Sequence, residues 1–116
     1  MSESEARAGA RELFPALAEE EAERLGVSYE RIRIGGQRTL WGSCSARATL
    51  SFNWRLLLAP LEVLDYVVVH ELCHLRVPNH SKRFWKLVEG RRPHWHEQRD
   101  WLREHGPELL PFSPSD

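Results

Sequence analysis

LEVLDYVVVHELCHLR, residues 61–76, is the stretch that decides the fold. Leu61, Leu64, Val67, Val68, Val69, Leu72 and Leu75 fall on most sides of a helix. A helix with so little polar surface is normally buried. Pro60 suits the first helical position, where its missing N–H costs nothing, and Pro78 ends the helix. The expectation is a central buried helix over 60–76, with the rest of the chain packed round it.

Buried polar groups in such a helix need a reason. His70-Glu71-Leu72-Cys73-His74 has the HExxH spacing. Residues four apart lie on one helix face, so both imidazoles can bind one tetrahedral zinc at roughly 2.0–2.1 Å. Glu71 projects about 100° round the helix from His70, which suits a carboxylate that holds the metal's water. Pro78 lets the chain turn back, and His80 follows as the third candidate ligand. Three protein ligands with one open position describe a catalytic zinc site, with Glu71 as general base. In a shuffled chain with six His among its residues, chance HExxH matches number about 0.04, so coincidence is a poor explanation. Rivals for the third ligand are Glu89, Glu97, His94 and His96. Cys73 as a fourth ligand would close the site, but His70, Cys73 and His74 on one turn would crowd the metal, so a small buried hydrophobe is its expected role.

Outward from this helix the chain divides simply. Downstream, Ser81 can cap a helix running to about Glu89, with Gly90 after it. Pro93 opens another, to about Glu104, before Gly106; together they occupy 81–104, and the tail PELLPFSPSD reads as irregular. Upstream, residues 30–53 carry strand signals. Arg31-Ile32-Arg33-Ile34 alternates with period two, Gly35-Gly36 reads as a turn, Thr39-Leu40-Trp41 as a second strand, Gly42–Ser45 as an interruption and Ala48–Phe52 as a third strand. A small antiparallel sheet is expected. Residues 3–25 favour helix, with Leu13, Leu17 and Leu25 on one apolar face and Pro15 as a kink or a new start.

Composition narrows the function. A chain of 116 residues is about one domain, 1–116, with no room for a separate substrate domain. A net charge of −1 gives no global field to draw the chain onto nucleic acid or an anionic membrane. Two cysteines are too few for a disulfide scaffold. The N-terminus lacks a basic region followed by an apolar stretch, and no apolar run spans a bilayer. A cytoplasmic setting with reduced thiols is expected.

Other residues carry weaker signals. Trp41–Ser45 could edge the cleft and pair with an extended peptide, or merely fill core. Tyr66, one turn before His70, could orient a ligand or serve as a core aromatic. Asn53 reads as a cap. Arg31, Arg33, Arg38, Arg91 and Arg92 are candidate oxyanion-stabilising cations, with nothing to select among them. Lys82 and Arg83 open a helix against the dipole preference, a pattern that could mark an anionic partner.

From about Arg38 to Leu102 the chain resembles the YgjP-like metallopeptidases, small zincins similar to the SprT-like and minigluzincin proteins. The resemblance rests on Trp41-Gly42-Ser43-Cys44-Ser45, Phe52-Asn53, Leu64 through His74, Asn79-His80-Ser81, Phe84-Trp85, Pro93 and Trp101-Leu102. It implies an α+β zincin-like fold, one zinc ion at His70, His74 and His80, Glu71 as base and acid, and a peptide or protein substrate. Many relatives carry a longer N-terminal region with more strands, which leaves room for a partner protein that completes the cleft. Two alternatives stand beside it. Bacterial YbeY ribonucleases share the three-histidine spacing but lack the glutamate, which makes a metal-dependent endoribonuclease the second reading. A non-catalytic zinc-binding interaction module is the third.

Overall fold

The structure, a computed structural model, describes residues 1–110. The rest of the expected irregular tail, 111–116, lies outside the described residues. The elements in chain order are α1 (Glu3–Leu25), β1 (Arg31–Gly35), β2 (Gly42–Cys44), β3 (Thr49–Asn53), a 3-10 turn (Trp54–Leu58), α2 (Leu61–Cys73), α3 (Lys82–Arg91) and α4 (Trp95–Leu109). Among the described residues, no helix is long and apolar enough to cross a membrane.

Helix α2 is the axis of the core, as its composition demands. Val63, Leu64, Val68, Val69 and Leu72 are almost wholly inaccessible. Its regular part stops at Cys73, one turn short of the expected end, and residues 74–76 continue as hydrogen-bonded turn.

Helix α1 lies across α2 and the sheet. The Ser2 hydroxyl oxygen accepts a hydrogen bond from Glu5 N, and the Glu5 carboxylate accepts one from Ser2 N, which completes a capping box at the first turn. Gly26, at φ 69°, closes the far end in the left-handed region. Pro15 neither kinks the chain into two elements nor starts a second helix. The buried stripe explains this: Ala6, Ala10, Phe14, Ala18 and Ala22 recur every fourth residue and seat both halves of α1 on the same core. Phe14 stacks on Phe52 of β3 at 4.6 Å. The apolar face is therefore this alanine stripe, while Leu13 and Leu17 are only partly buried at its margin.

The sheet is mixed, a correction to the antiparallel expectation. Its order is β1-β3-β2, with β1 parallel and β2 antiparallel to β3. After β1 the chain does not turn back at Gly35-Gly36. It crosses to the far edge, and Asn53 clamps the crossing by donating to Gln37 O at 2.8 Å and Leu40 O at 3.0 Å. The same side chain accepts from Arg55 N and caps the 3-10 turn. The second strand is Gly42–Cys44, where a turn was expected, and Thr39–Trp41 is not strand. Gly42 explains the choice of segment. A Cβ there would stand 3.0 Å from Val67 Cγ1, 3.2 Å from Glu71 Cγ and 3.2 Å from Ser51 O, so only a bare backbone passes so close to α2.

Helix α4 runs five residues beyond Glu104, through Gly106 and Pro107, so residues 107–109 are helical where an irregular tail was expected. Gly106 is a contact and not a stop: Trp41 packs on it, with Cζ2 3.2 Å from the position a Cβ would take.

Candidate metal centre

His70 sits in the last turn of α2, and His74 caps it with helical backbone angles, φ −64° and ψ −18°. The four-residue spacing therefore keeps its geometry past the end of the regular helix. Arg76 N and Val77 N both bond to Cys73 O at 3.0 Å, which tightens the exit. Val77 is buried and anchors the turn, and Pro78 sends the chain back. His80 then arrives over the other two imidazoles.

Three nitrogens converge. His80 Nε2 lies 3.0 Å from His74 Nε2 and 3.3 Å from His70 Nε2. Ligand nitrogens around one tetrahedral zinc stand about 3.3–3.4 Å apart, from bond lengths of roughly 2.0–2.1 Å. The residues present fit such an ion. His74 Nδ1 donates to Val77 O at 3.1 Å, which leaves the lone pair of its neutral ring on Nε2, facing the centre. The Tyr66 hydroxyl stands 3.4 Å from His70 Nδ1, on the outer side of that ring.

Aromatic rings set the imidazoles. Ser81 accepts from Phe84 N and starts α3 so that Phe84 lies beneath the cluster. His74 stacks on Phe84 at 4.4 Å, and His80 is nearly parallel to Trp85 at 5.7 Å. Burial pushes His70 down to about 3, and the neighbouring His74 and His80 add to the fall. Burial also lowers His74. Both are therefore neutral at pH 7, the state in which imidazole binds metal.

Glu71 is 7% exposed and looks onto a cleft of about 840 Å³. Cys44, His74 and His80 share the cleft wall with it, as do Val27 and Ser28 after α1. Burial pushes the Glu71 carboxyl up to about 7. A cation held by the three histidines would draw it down again. Beside it runs β2, an edge strand of the sheet, paired within it on one side only.

The rival ligands stand elsewhere. Among the described residues, His70, His74 and His80 form the one group of His, Cys, Asp and Glu side chains able to share an ion, with ligand atoms within 4.8 Å of one another. Glu89, Glu97, His94 and His96 are exposed and outside it. Cys73 is fully buried, and burial pushes its thiol up to about 12, so it is an inert core residue. Tyr66 is a buried core aromatic that also reaches His70.

Arg91 and Arg92 are committed to structure. Both bind Glu21 of α1, at 3.0 and 2.7 Å, and Arg92 also binds Asp65 of α2. They tie α1 and α2 to the end of α3. Sequence reasoning missed this network, and it missed Val77 as the carbonyl that orients His74. The first pairs residues about 70 apart, and the second is a backbone contact with no residue-type signal. The placement of Cys44 in the cleft had only the Trp41–Ser45 segment to hint at it.

The sequence profile of a family described as YgjP-like, metallopeptidase domain, matches residues 3–105. The crystal structure of the metallopeptidase zymogen of Pyrococcus abyssi abylysin superposes with a TM-score of 0.71 at 24% identity, covering 86% of this chain and 99% of that one. The metallopeptidase zymogen of Methanocaldococcus jannaschii jannalysin gives 0.69 at 20% identity, over 78% of this chain and 94% of that one. At these identities the likeness is one of fold. No curated protein matches the sequence significantly.

Proposed function

The chain belongs to the YgjP-like metallopeptidase family, and from that premise we propose that it hydrolyses peptide bonds with one zinc ion held by His70, His74 and His80 and with Glu71 as general base and acid. The observation that carries the proposal is the convergence of the three Nε2 atoms beside an open cleft that Glu71 lines. When bound, zinc lowers the pKa of a water towards 7 and polarises a carbonyl.

The chain's own groups do the rest. Glu71 takes a proton from the attacking water onto its carboxylate and gives it to the departing amine. The wall of α2 and β2 limits bulk water at that carboxylate. Val77 O and the Tyr66 hydroxyl hold the outer nitrogens of His74 and His70, which supports one tautomer and one orientation for each ring. The open edge of β2 supports an extended peptide added as a further strand, with its scissile bond beside Glu71. Cys44 and Cys73 both carry free thiols, which supports a reducing compartment such as the cytoplasm.

The test compares the wild type with Glu71→Gln for zinc content, cleavage of a mixed peptide library and cleavage of single-stranded RNA. One zinc per chain in both proteins, with peptide cleavage lost in Glu71→Gln by about 10²–10⁴, is the expected result. Cleavage of RNA alone would move the assignment to an endoribonuclease. Zinc binding with neither substrate cut would leave a binding module.

A further inference from the structure

The near-zero net charge hides a separation. Between Arg76 and Arg92 stand Arg76, Lys82, Arg83, Lys86, Arg91 and Arg92 against the single acid Glu89. The last two arginines are held by Glu21 and Asp65. The other four are exposed, and among the described residues none has a carboxylate partner.

These four cations border the metal centre. Arg76 lines the cleft that holds Glu71. A second depression, of about 450 Å³, shares His80 with that cleft and is edged by Lys82 and Lys86 over Trp85 and Trp95. A third, of about 260 Å³, joins Lys86 back to Arg76 and Arg83. Cations thus line three neighbouring depressions that share His80, Lys86 and Arg76, and two of the three are bordered by the candidate ligand His80. Lys82 and Arg83 sit in the first turn of α3, where the helix dipole disfavours them and adds to the positive field.

We propose that this surface receives acidic side chains of the polypeptide in the cleft, so that substrates with Asp or Glu near the cleaved bond are favoured. The inference rests on the peptidase reading and names its substrate class. A polynucleotide fits less well. Bases stack on open ring faces, but Trp85 and Trp95 stack on each other at 4.3 Å, Trp95 is only 6% exposed, and His96 stacks on Trp95 at 3.6 Å. Glu89 on the rim of the second depression would also repel a continuous polyanion, whereas a peptide can place its charges apart from it.

The test measures the anisotropy of fluorescein-labelled peptides with one apolar sequence bearing Asp, Ala or Lys substitutions. The partners are the zinc-loaded Glu71→Gln protein and the same protein carrying Lys82→Glu and Lys86→Glu. The Asp peptide should bind about three- to tenfold tighter than the Ala peptide, the effect of one or two exposed ion pairs. The advantage should shrink as NaCl rises. The paired charge reversal should favour the Lys peptide, with zinc content and circular dichroism unchanged. Equal binding of Asp and Lys peptides would overturn the proposal, as would a preference that survives the reversal or tighter binding of a single-stranded RNA. Cleavage of the same peptides by the wild type separates the two readings. Cleavage without acidic preference in binding or turnover would keep the peptidase and sink the acidic class. Acidic binding with no peptide cut would support the surface and retire the peptidase.

Discussion

His80 Nε2 stands 3.0 Å from His74 Nε2, although five residues, Pro78 among them, lie between the two. His80 is exposed, and its side chain meets the nitrogens of His70 and His74 and the rings of Phe84 and Trp85. The proposed zinc ion would make that convergence favourable. His80→Ala should therefore weaken zinc binding by more than the roughly 10–100-fold expected for an outer-shell partner. It should cost little of the metal-free protein's stability. Chelator competition and urea unfolding in EDTA check the two halves, and zinc affinity that survives the substitution would remove His80 from the ligand set.

Gly42 offers a test of how closely β2 and Glu71 are fitted. A Cβ at Gly42 would press on Val67, on Glu71 Cγ and on the backbone oxygen of Ser51. The backbone atom cannot step aside without moving β3, so Gly42→Ala should destabilise by about 1–3 kcal/mol. Turnover should fall further than zinc affinity, because Glu71 is displaced and the histidines are not. Gly90 is the control. A Cβ there meets nothing within 4 Å, and the residue lies inside α3. Gly90→Ala should stabilise by up to about 1 kcal/mol. Urea midpoints and peptide turnover for both variants decide the matter, and equal behaviour would show that the β2 contact is slack.

What was legible in the sequence followed the strength of local chemistry. The α2 segment announced itself because an apolar helix containing His70, Glu71 and His74 has few explanations. Pro78 pointed to a chain reversal before His80. The sheet was less legible for a physical reason. Gly42-Ser43-Cys44 has poor strand propensity and becomes a strand through its pairing with β3 and its close passage over α2. The parallel partnership of β1 with β3 depends on a crossing clamped by Asn53, which no period in the sequence encodes. Glu21 closes an acidic run, Glu19–Glu21, yet it is buried against arginines far along the chain. Alanines hid the face of α1, because small residues carry a weak hydrophobic signal while permitting close packing.

Tyr66 tests whether the ring of His70 is oriented from behind. Its hydroxyl is 3.4 Å from Nδ1, a long contact, and burial raises the phenol to about 12, so it stays protonated at any working pH. Tyr66→Phe keeps the packing and deletes the oxygen. Zinc affinity should fall by about tenfold, at the weak end for such partners, with stability nearly unchanged. Titration with a zinc indicator reads the first and thermal unfolding the second. An affinity equal to wild type would assign Tyr66 to the core alone.

Glu21 gives the acid limb of stability its shape. Burial raises its carboxyl, but the hydrogen bonds and charges of Arg91 and Arg92 outweigh that and hold it below the ordinary 4.5. The folded state therefore binds this proton more weakly than the unfolded chain does. The contribution is complete above the ordinary value and drains away as pH falls through the lowered one. Urea unfolding of the metal-free protein from pH 7 to 3 should show a loss below about pH 5 that is steeper in the wild type than in Glu21→Gln. At neutral pH, Glu21→Gln should be less stable by about 1–3 kcal/mol, since two guanidinium groups lose their charged acceptor. Parallel curves would mean that Arg91 and Arg92 find other partners, and that the link between α1 and the end of α3 contributes nothing specific.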